Sequence, residues 1–419
     1  MSSAIDILIL SNAPGELATW VKPVVRELRV LLGQGDAVRI SVILSPCPNA
    51  SGQEAAIARS YPEVDRVQAA DQFFPFLLFG KTAENWQWRD RGVVIFLGGD
   101  QFFPVVIGKR LGYRTVIYAE WEARWHRWID RFAVMRADIA NRVPKPYAHK
   151  VTVVGDLMAE VGAYAQQDAP ANLVGLLPGS KPAKLAQGVP FLAAIAECIH
   201  AQRPETRFIV PVAPTLDLPT LARYGDPAQN PIVARMGNIS LKLVMSASGH
   251  AHLETQNGVQ IELKINPVER MPAYDVLSKC CLCLTTVGAN TAELGALAVP
   301  MIVLLPTQQL DAMRSWDGLP GLLVNLPGVG STFAKIVNGL ALRRLGLLAW
   351  PNIWAKEMIV PELVGNLQAK EVAALAIDYL DHPEKRHQMQ EKLRQLRGAP
   401  GAATKLAKIV QDEIRYLEA

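Results

Sequence analysis

Short, nearly continuous apolar runs recur along the chain, and most are followed by a segment whose apolar positions repeat at helical spacing. Ile5–Leu10, Val38–Leu44, Val93–Leu97 and Thr115–Tyr118 have the unbroken character of strands buried on both faces. Between them, Gly15–Leu32 places Trp20, Val24, Val25 and Leu28 on one helical side, and Phe103–Leu111 is a second helical stretch. The rhythm restarts at Leu173–Leu177. A helix at Val189–Ala201 and strands at Phe208–Val212 and Leu282–Thr286 follow, then a helix at Thr291–Leu297 and a strand at Met301–Leu305. This alternation predicts an α/β fold of two Rossmann-like, doubly wound domains.

The domains are expected at residues 1–165 and 172–366, followed by a helical tail at 367–419. The linker is read at "GAYAQQDAPAN" (162–172), where apolar periodicity stops and Gln, Asp and Pro enter. An insertion is expected near 219–265. Within it, "HLETQNGVQIELKI" sets Asn257-Gly258 between alternating apolar positions, a strong hairpin signal. In the tail, "DHPEKRHQMQEKLRQL" and "ATKLAKIVQDEIRYLEA" are amphipathic helices. "YAEWEARWHRWIDRF" spaces Trp121, Trp125 and Trp128 as on one helix face, which favours a packed core helix over a ligand site.

Composition narrows the class. At 419 residues, half hydrophobic and a fifth charged, the chain suits a folded two-domain enzyme. Its 43 Lys+Arg against 39 Asp+Glu give a net charge of +4, too small to argue for nucleic acid. Cys47, Cys198, Cys280, Cys281 and Cys283 are odd in number and cluster in an apolar run. They are expected to be reduced thiols in a cytoplasmic protein, and no metal is expected. The N-terminus lacks the basic region and cleavage site of a signal peptide and reads as a first strand. The apolar tract Cys280–Pro306 is interrupted by Gly288, Asn290, Glu293, Gly295 and Pro300, so strand, helix and strand are expected instead of a membrane span.

Four strand-to-helix loops carry candidate chemistry. In "LLPGSK", Gly179 and Ser180 expose backbone amides and Lys181 adds a cation, a combination suited to a diphosphate; a plain turn with a solvated lysine fits the same residues. In "TVGANTAELGA", Gly288 follows a strand, and Asn290 and Thr291 are placed to cap a helix whose start faces an anion, which makes both substrate-binding candidates. Glu293 suits either the helix dipole or a ribose diol. In "FLGGDQFFP", Asp100 is a general base on an acceptor hydroxyl or a helix N-cap. In "SNAPGELATW", Gly15 and Glu16 reach toward the same region.

The order of "PGE", "FLGGD", a Trp-rich segment, "VVGD", "LLPGSK", "FIVPVA", "GANTAE" and "WPNIWAKEMIVPEL" resembles the lipid A disaccharide synthase family over Ile5 to Val410, outside Pro219–Ile265. The resemblance implies a glycosyltransferase B fold and metal-independent, inverting transfer of a hexosyl group from a UDP-sugar to a lipid-linked acceptor, with no cofactor. It assigns Asp100 as catalytic and Gly179, Ser180, Gly288 and Glu293 to the nucleotide. Pro351-Asn352 and Pro361-Glu362 match the donor-side segment, which makes Asn352 a substrate-binding candidate. Lys181 stands for the family's arginine, Val287 and Ala289 for its serine and threonine, and Phe103 for a second aspartate. The family's N-terminal motif is reduced to Gly15-Glu16. The resemblance also implies membrane docking through "FFPFLLFG", which brings in Phe73, Phe74, Phe76, Leu77, Leu78 and Phe79; a buried element fits that run equally well. The expected location is cytoplasmic, peripheral on the inner membrane face, and a homodimer is allowed. The alternatives are a UDP-sugar 2-epimerase and a non-catalytic relative that binds a nucleotide sugar or lipid.

Overall fold

A computed structural model describes residues 4–47, 50, 52–164, 172–213, 216–246, 249–265, 273–307 and 346–418. The backbone divides into two units. The first comprises residues 1–163, 267–272 and 397–419, and the second comprises 164–266 and 273–396. Most of the expected linker lies outside the described residues.

The first unit holds a parallel sheet of seven strands: β1 (Ile5–Ser11), β2 (Val38–Leu44), β3 (Arg66–Gln68), β4 (Gly92–Phe96), β5 (Arg114–Ala119), β6 (Arg131–Val134) and β7 (Val151–Val153). Their spatial order is β3-β2-β1-β4-β5-β6-β7. Every residue of β1 and β4 is buried, which is why both read as unbroken apolar runs. Asp6 is the exception within β1. Burial would raise its carboxyl, but hydrogen bonds from Arg39, the Arg89 backbone and Tyr113 reverse this and hold it below the usual range.

The second unit holds eight strands: β8 (Leu173–Leu177), β9 (Arg207–Val212), β10 (Leu241–Met245), β11 (Ala251–Thr255), β12 (Gln260–Ile265), β13 (Leu282–Thr286), β14 (Met301–Pro306) and β15 (Glu362–Gly365). The order is β10-β11-β12-β9-β8-β13-β14-β15. The Asn257-Gly258 hairpin joins β11 and β12 antiparallel, and β12 then extends the sheet by pairing parallel with β9. The region expected as an insertion therefore lengthens the sheet itself.

The three last helices divide between the units. Ala369–Asp381 packs Val372, Ala373, Ala376 and Leu380 into the second core, and Pro383–Arg397 follows it there up to Leu396. Ala402–Glu418 buries Ala403, Leu406, Ala407 and Val410 in the first core.

The tryptophan segment is not a helix. Between β5 and β6, residues 120–130 form an irregular loop, and Trp125 has a left-handed backbone at φ 61°. Side chains take the backbone groups that a helix would use. Gln101 donates to Glu122 O at 2.7 Å and accepts from Arg124 N at 2.8 Å, while Lys150 donates to His126 O and Ile129 O. These long-range bonds override the local periodicity. "FFPFLLF" forms the helix Phe73–Phe79, which buries Phe73 and Phe76 and exposes Phe74, Leu78 and Phe79. Arg110 closes that helix by donating to the carbonyls of Phe76, Leu77 and Leu78. Among the described residues, no helix is long and apolar enough to cross a membrane.

Candidate functional site

Strand order selects where each unit gathers its loops. In the second unit the chain leaves β8 for β9 on one side and later returns to β13 on the other, so β8 and β13 are parallel neighbours with Leu177 beside Thr285. Crevices form at the carboxyl ends of strands where such an order reverses. Both glycine turns begin there: Pro178–Lys181 after β8 and Val287–Gly288 after β13.

Each turn opens a helix. Lys181 is the N-cap of Pro182–His200, and Gly288 is the N-cap of Ala289–Ala296. Gly179 has φ 97° and Gly288 φ 150°, backbone states that side chains resist. Space is equally short. A Cβ on Gly179 would lie 3.0 Å from Lys184 Cβ and 3.4 Å from Thr286 Oγ1, and one on Gly288 would lie 2.9 Å from Lys184 Nζ. Lys184 therefore lies between the two turns and donates to Val287 O at 2.7 Å. Loss of solvent, and then the nearby Lys181 charge, push its ammonium below the ordinary lysine range. Two helix starts, two glycine turns and two lysines gathered here have the chemistry to receive an anion.

Glu293 sits one turn into its helix, past the first turn where the sequence reading placed it. Burial alone raises its carboxyl to about 7. The helix begins at Ala289, and no side chain caps it, so Asn290 and Thr291 are not its caps. Thr291 is fully buried; its hydroxyl donates to Gly288 O at 2.9 Å and accepts from Trp350 N at 3.1 Å, which corrects its assignment to substrate. Asn352 requires the same correction. It is fully buried, donates to Val360 O and Glu362 Oε1, and accepts from Ile359 N and Val360 N. Every donor and acceptor position of that amide is committed within the fold. Ser180 is exposed at the turn between Gly179 and Lys181.

The first unit repeats the same geometry. Its order reverses between β1 and β4, so the loops after Ser11 and Phe96 adjoin. Ser11 Oγ donates to Leu97 O, and Gly98 leaves room for the Asn12 side chain. Gly15 and Glu16 lie in the first helical turn after β1, where burial raises the Glu16 carboxyl. Asp100 is not the N-cap of Phe103–Leu111; Phe102 is. Its Oδ1 accepts from Phe102 N at 2.8 Å, and Oδ2 lies 3.6 Å from Arg124 Nη2, with about half of its side chain exposed.

The sequence reading passed over two residues. Lys184 is one. Glu120, which directly follows β5, is the other: burial, then the neighbouring Asp156 charge, raise its carboxyl to about 7, with Arg397 opposing and Glu16 adding to the rise. Asp156 is itself paired with Arg397. A strand that ends in an acidic residue was the available signal, the same one that picked out Asp100.

Comparison with known proteins places this geometry among relatives. No family model matches the chain. It is 26% identical over 230 residues to a lipid-A-disaccharide synthase from Nitrosococcus oceani, covering 55% of this chain and 44% of that protein. It is 24% identical over 327 residues to a lipid-A-disaccharide synthase from Geobacter metallireducens, covering 73% and 70% respectively. The chain thus matches less than half the length of the first relative. A solved structure of a candidate UDP-N-acetylglucosamine 2-epimerase from Listeria monocytogenes superposes with a TM-score of 0.51 at 13% identity, over 99% of this chain and 97% of that one. That likeness shows the fold, two Rossmann-like units in sequence.

Proposed function

We propose that this chain, a divergent relative of the lipid-A-disaccharide synthases, is an inverting glycosyltransferase that moves a hexosyl group from a UDP-sugar to a lipid-linked acceptor. The observation that carries the reading is the meeting of two glycine turns and two helix starts around Lys184 at the ends of β8 and β13. The diphosphate of the donor binds the amides of Gly179 and Ser180 and the start of Ala289–Ala296 near Asn290. The Glu293 carboxylate accepts from the ribose hydroxyls.

In the reaction, Asp100 takes the proton of the acceptor hydroxyl as its oxygen attacks the anomeric carbon from the face opposite the nucleotide. The bond from that carbon to the diphosphate oxygen breaks, and UDP leaves with the electron pair. Lys181, Lys184 and the helix dipoles stabilise the charge that develops on it, the work a metal performs elsewhere. Phe74, Leu78 and Phe79 support docking on the cytoplasmic membrane face, where a lipid acceptor resides. Sedimentation with anionic vesicles checks this, and a Phe79→Asp chain that still sediments fully would remove the patch from the proposal.

The central test is transfer from radiolabelled UDP-hexoses to a lipid extract, comparing the native chain with Asp100→Asn. A loss of roughly 100- to 10,000-fold is expected; undiminished transfer removes the base. Glu16 and Glu120 favour a second reading, epimerisation of the UDP-sugar at C2, because two half-buried carboxylates with raised proton affinity suit removal and return of a carbon-bound proton. Deuterium appearing at C2 of UDP-N-acetylglucosamine in heavy water, with no acceptor present, would select it.

A further inference from the structure

The tryptophan loop of the first unit presents aromatic surface to solvent beside Asp100. Phe102 is 43% exposed and Trp128 53% exposed, and Trp125 bridges them with ring centroids 4.9 Å and 5.6 Å away. The ridge is held in place. Gln101 is bonded to both Glu122 O and Arg124 N, Arg142 donates to Trp121 O, and the amides of Trp128 and Ile129 both return to Trp125 O. A loop fixed at this many points keeps large apolar rings in water, and such surfaces mark binding sites.

We infer that Phe102, Trp125 and Trp128 form a seat for the saccharide ring of the acceptor, with Asp100 and Arg124 reading its hydroxyls; this rests on the transfer reading above. The chemistry selects a sugar. A pyranose has an apolar C–H face that lies on aromatic rings and an equatorial rim of hydroxyls that pair with charged groups. Here the Asp100 carboxylate and the Arg124 guanidinium stand 3.6 Å apart, two residues before Phe102 and one before Trp125 in sequence, and Arg124 also pairs with Glu122 at 3.2 Å. An acyl chain would use the rings alone, whereas a sugar's hydroxyls can also pair with both half-exposed members of this ion pair. Beneath the surface, the same segment packs against the helix Phe73–Phe79. Phe103, adjacent to Phe102, packs on Phe73 at 4.8 Å, and Phe73 packs on Phe74 at 5.6 Å.

The experiment is saturation-transfer NMR on the full chain with the methyl glycosides of glucose, galactose, mannose and N-acetylglucosamine, and with 1-octanol as the acyl arm. UDP affinity is measured in parallel by calorimetry. At least one glycoside is expected to receive saturation on its C–H face, and Trp128→Ala and Arg124→Gln should each reduce that transfer at least about five-fold. UDP affinity should stay within about two-fold, and a thermal melt confirms folding. Phe102→Leu, which keeps the apolar volume, should weaken glycosides as well. The inference is overturned if no glycoside is saturated, if the variants leave transfer unchanged, or if only octanol responds to Trp128→Ala. Loss of UDP binding in the native chain, with glycoside binding intact, would instead sink the transfer reading alone.

Discussion

The ammonium of Lys184 donates to the carbonyl of Val287, 103 residues away in sequence, and so joins the two glycine turns. Neither glycine turn accounts for the rim alone; the lysine places the turn after β8 and the turn after β13 in one site. Because the lysine is partly desolvated and stands near Lys181, an incoming diphosphate relieves both costs. Lys184→Met is expected to weaken UDP binding roughly ten- to a hundred-fold, as a lost charge-assisted hydrogen bond does. Calorimetric titration with UDP checks this, and unchanged affinity would take the lysine out of the site.

Gly288→Ala tests the same contact from the other side. The backbone at φ 150° is hostile to a side chain, and the added methyl would meet the Lys184 ammonium at 2.9 Å. A flexible side-chain end can swing aside, so the larger cost is backbone strain of about 1–3 kcal/mol. Denaturant unfolding should register that loss. UDP affinity should fall with it, and the double variant with Lys184→Met should lose slightly less than the sum of the two, by the small part of the Gly288→Ala effect that passes through Lys184.

Glu293 gives a pH dependence whose sign follows from burial. Its carboxyl moves from 4.5 to about 7, so the folded chain holds this proton more tightly than the unfolded chain does. The stabilising contribution is complete below pH 4.5, declines as pH rises toward 7 and is gone above it. Thermal melts from pH 5 to pH 8 should show Glu293→Gln losing less stability than the native chain over that interval. UDP binding should run the opposite way, tightening as pH rises through 7 in the native chain and staying flat in the variant. Parallel curves for the two proteins would contradict the assignment.

Asn352→Ala separates scaffold from ligand contact. The substitution removes a buried amide that satisfies Val360 and Ile359 and also donates to Glu362, the carboxylate that itself receives the amides of Leu348 and Ala349. Orphaned backbone groups cost about 1–3 kcal/mol each, so a stability loss of about 2–4 kcal/mol is expected. UDP affinity of the folded fraction should remain near the native value; a selective loss of affinity with stability intact would restore Asn352 to the ligand.

Much of this was legible in the sequence because the sheets are parallel. Strands buried on both faces, such as "ILIL" in β1 and "VVIF" in β4, need no alternation and stand out against the helical stretches between them. The short edge strands β3, β7 and β15 lack that continuity and escaped notice. The candidate loops were found from strand-end grammar: glycine, then a polar residue, then a helix. What local pattern does not carry is a partner far along the chain. Trp121, Trp125 and Trp128 imitate a helix face, but Gln101 and Lys150 claim the carbonyls and amides such a helix would need. Asn352 resembles a ligand-facing residue until the loop at 359–360 closes over its amide.

The helix Ala402–Glu418 lies about 290 residues beyond Arg114 in sequence, yet it packs into the same core as β1 to β6. Glu413 meets Arg114 at 2.6 Å, Thr404 meets Glu27 at 2.8 Å, and Leu406 and Val410 are sealed from water within the first unit. The core of the first unit therefore keeps an apolar face uncovered until residues 402–418 have been made and packed against it. A chain cut before residue 402 would keep the whole sheet of the second unit but present an unsealed apolar flank on the first to chaperones and proteases.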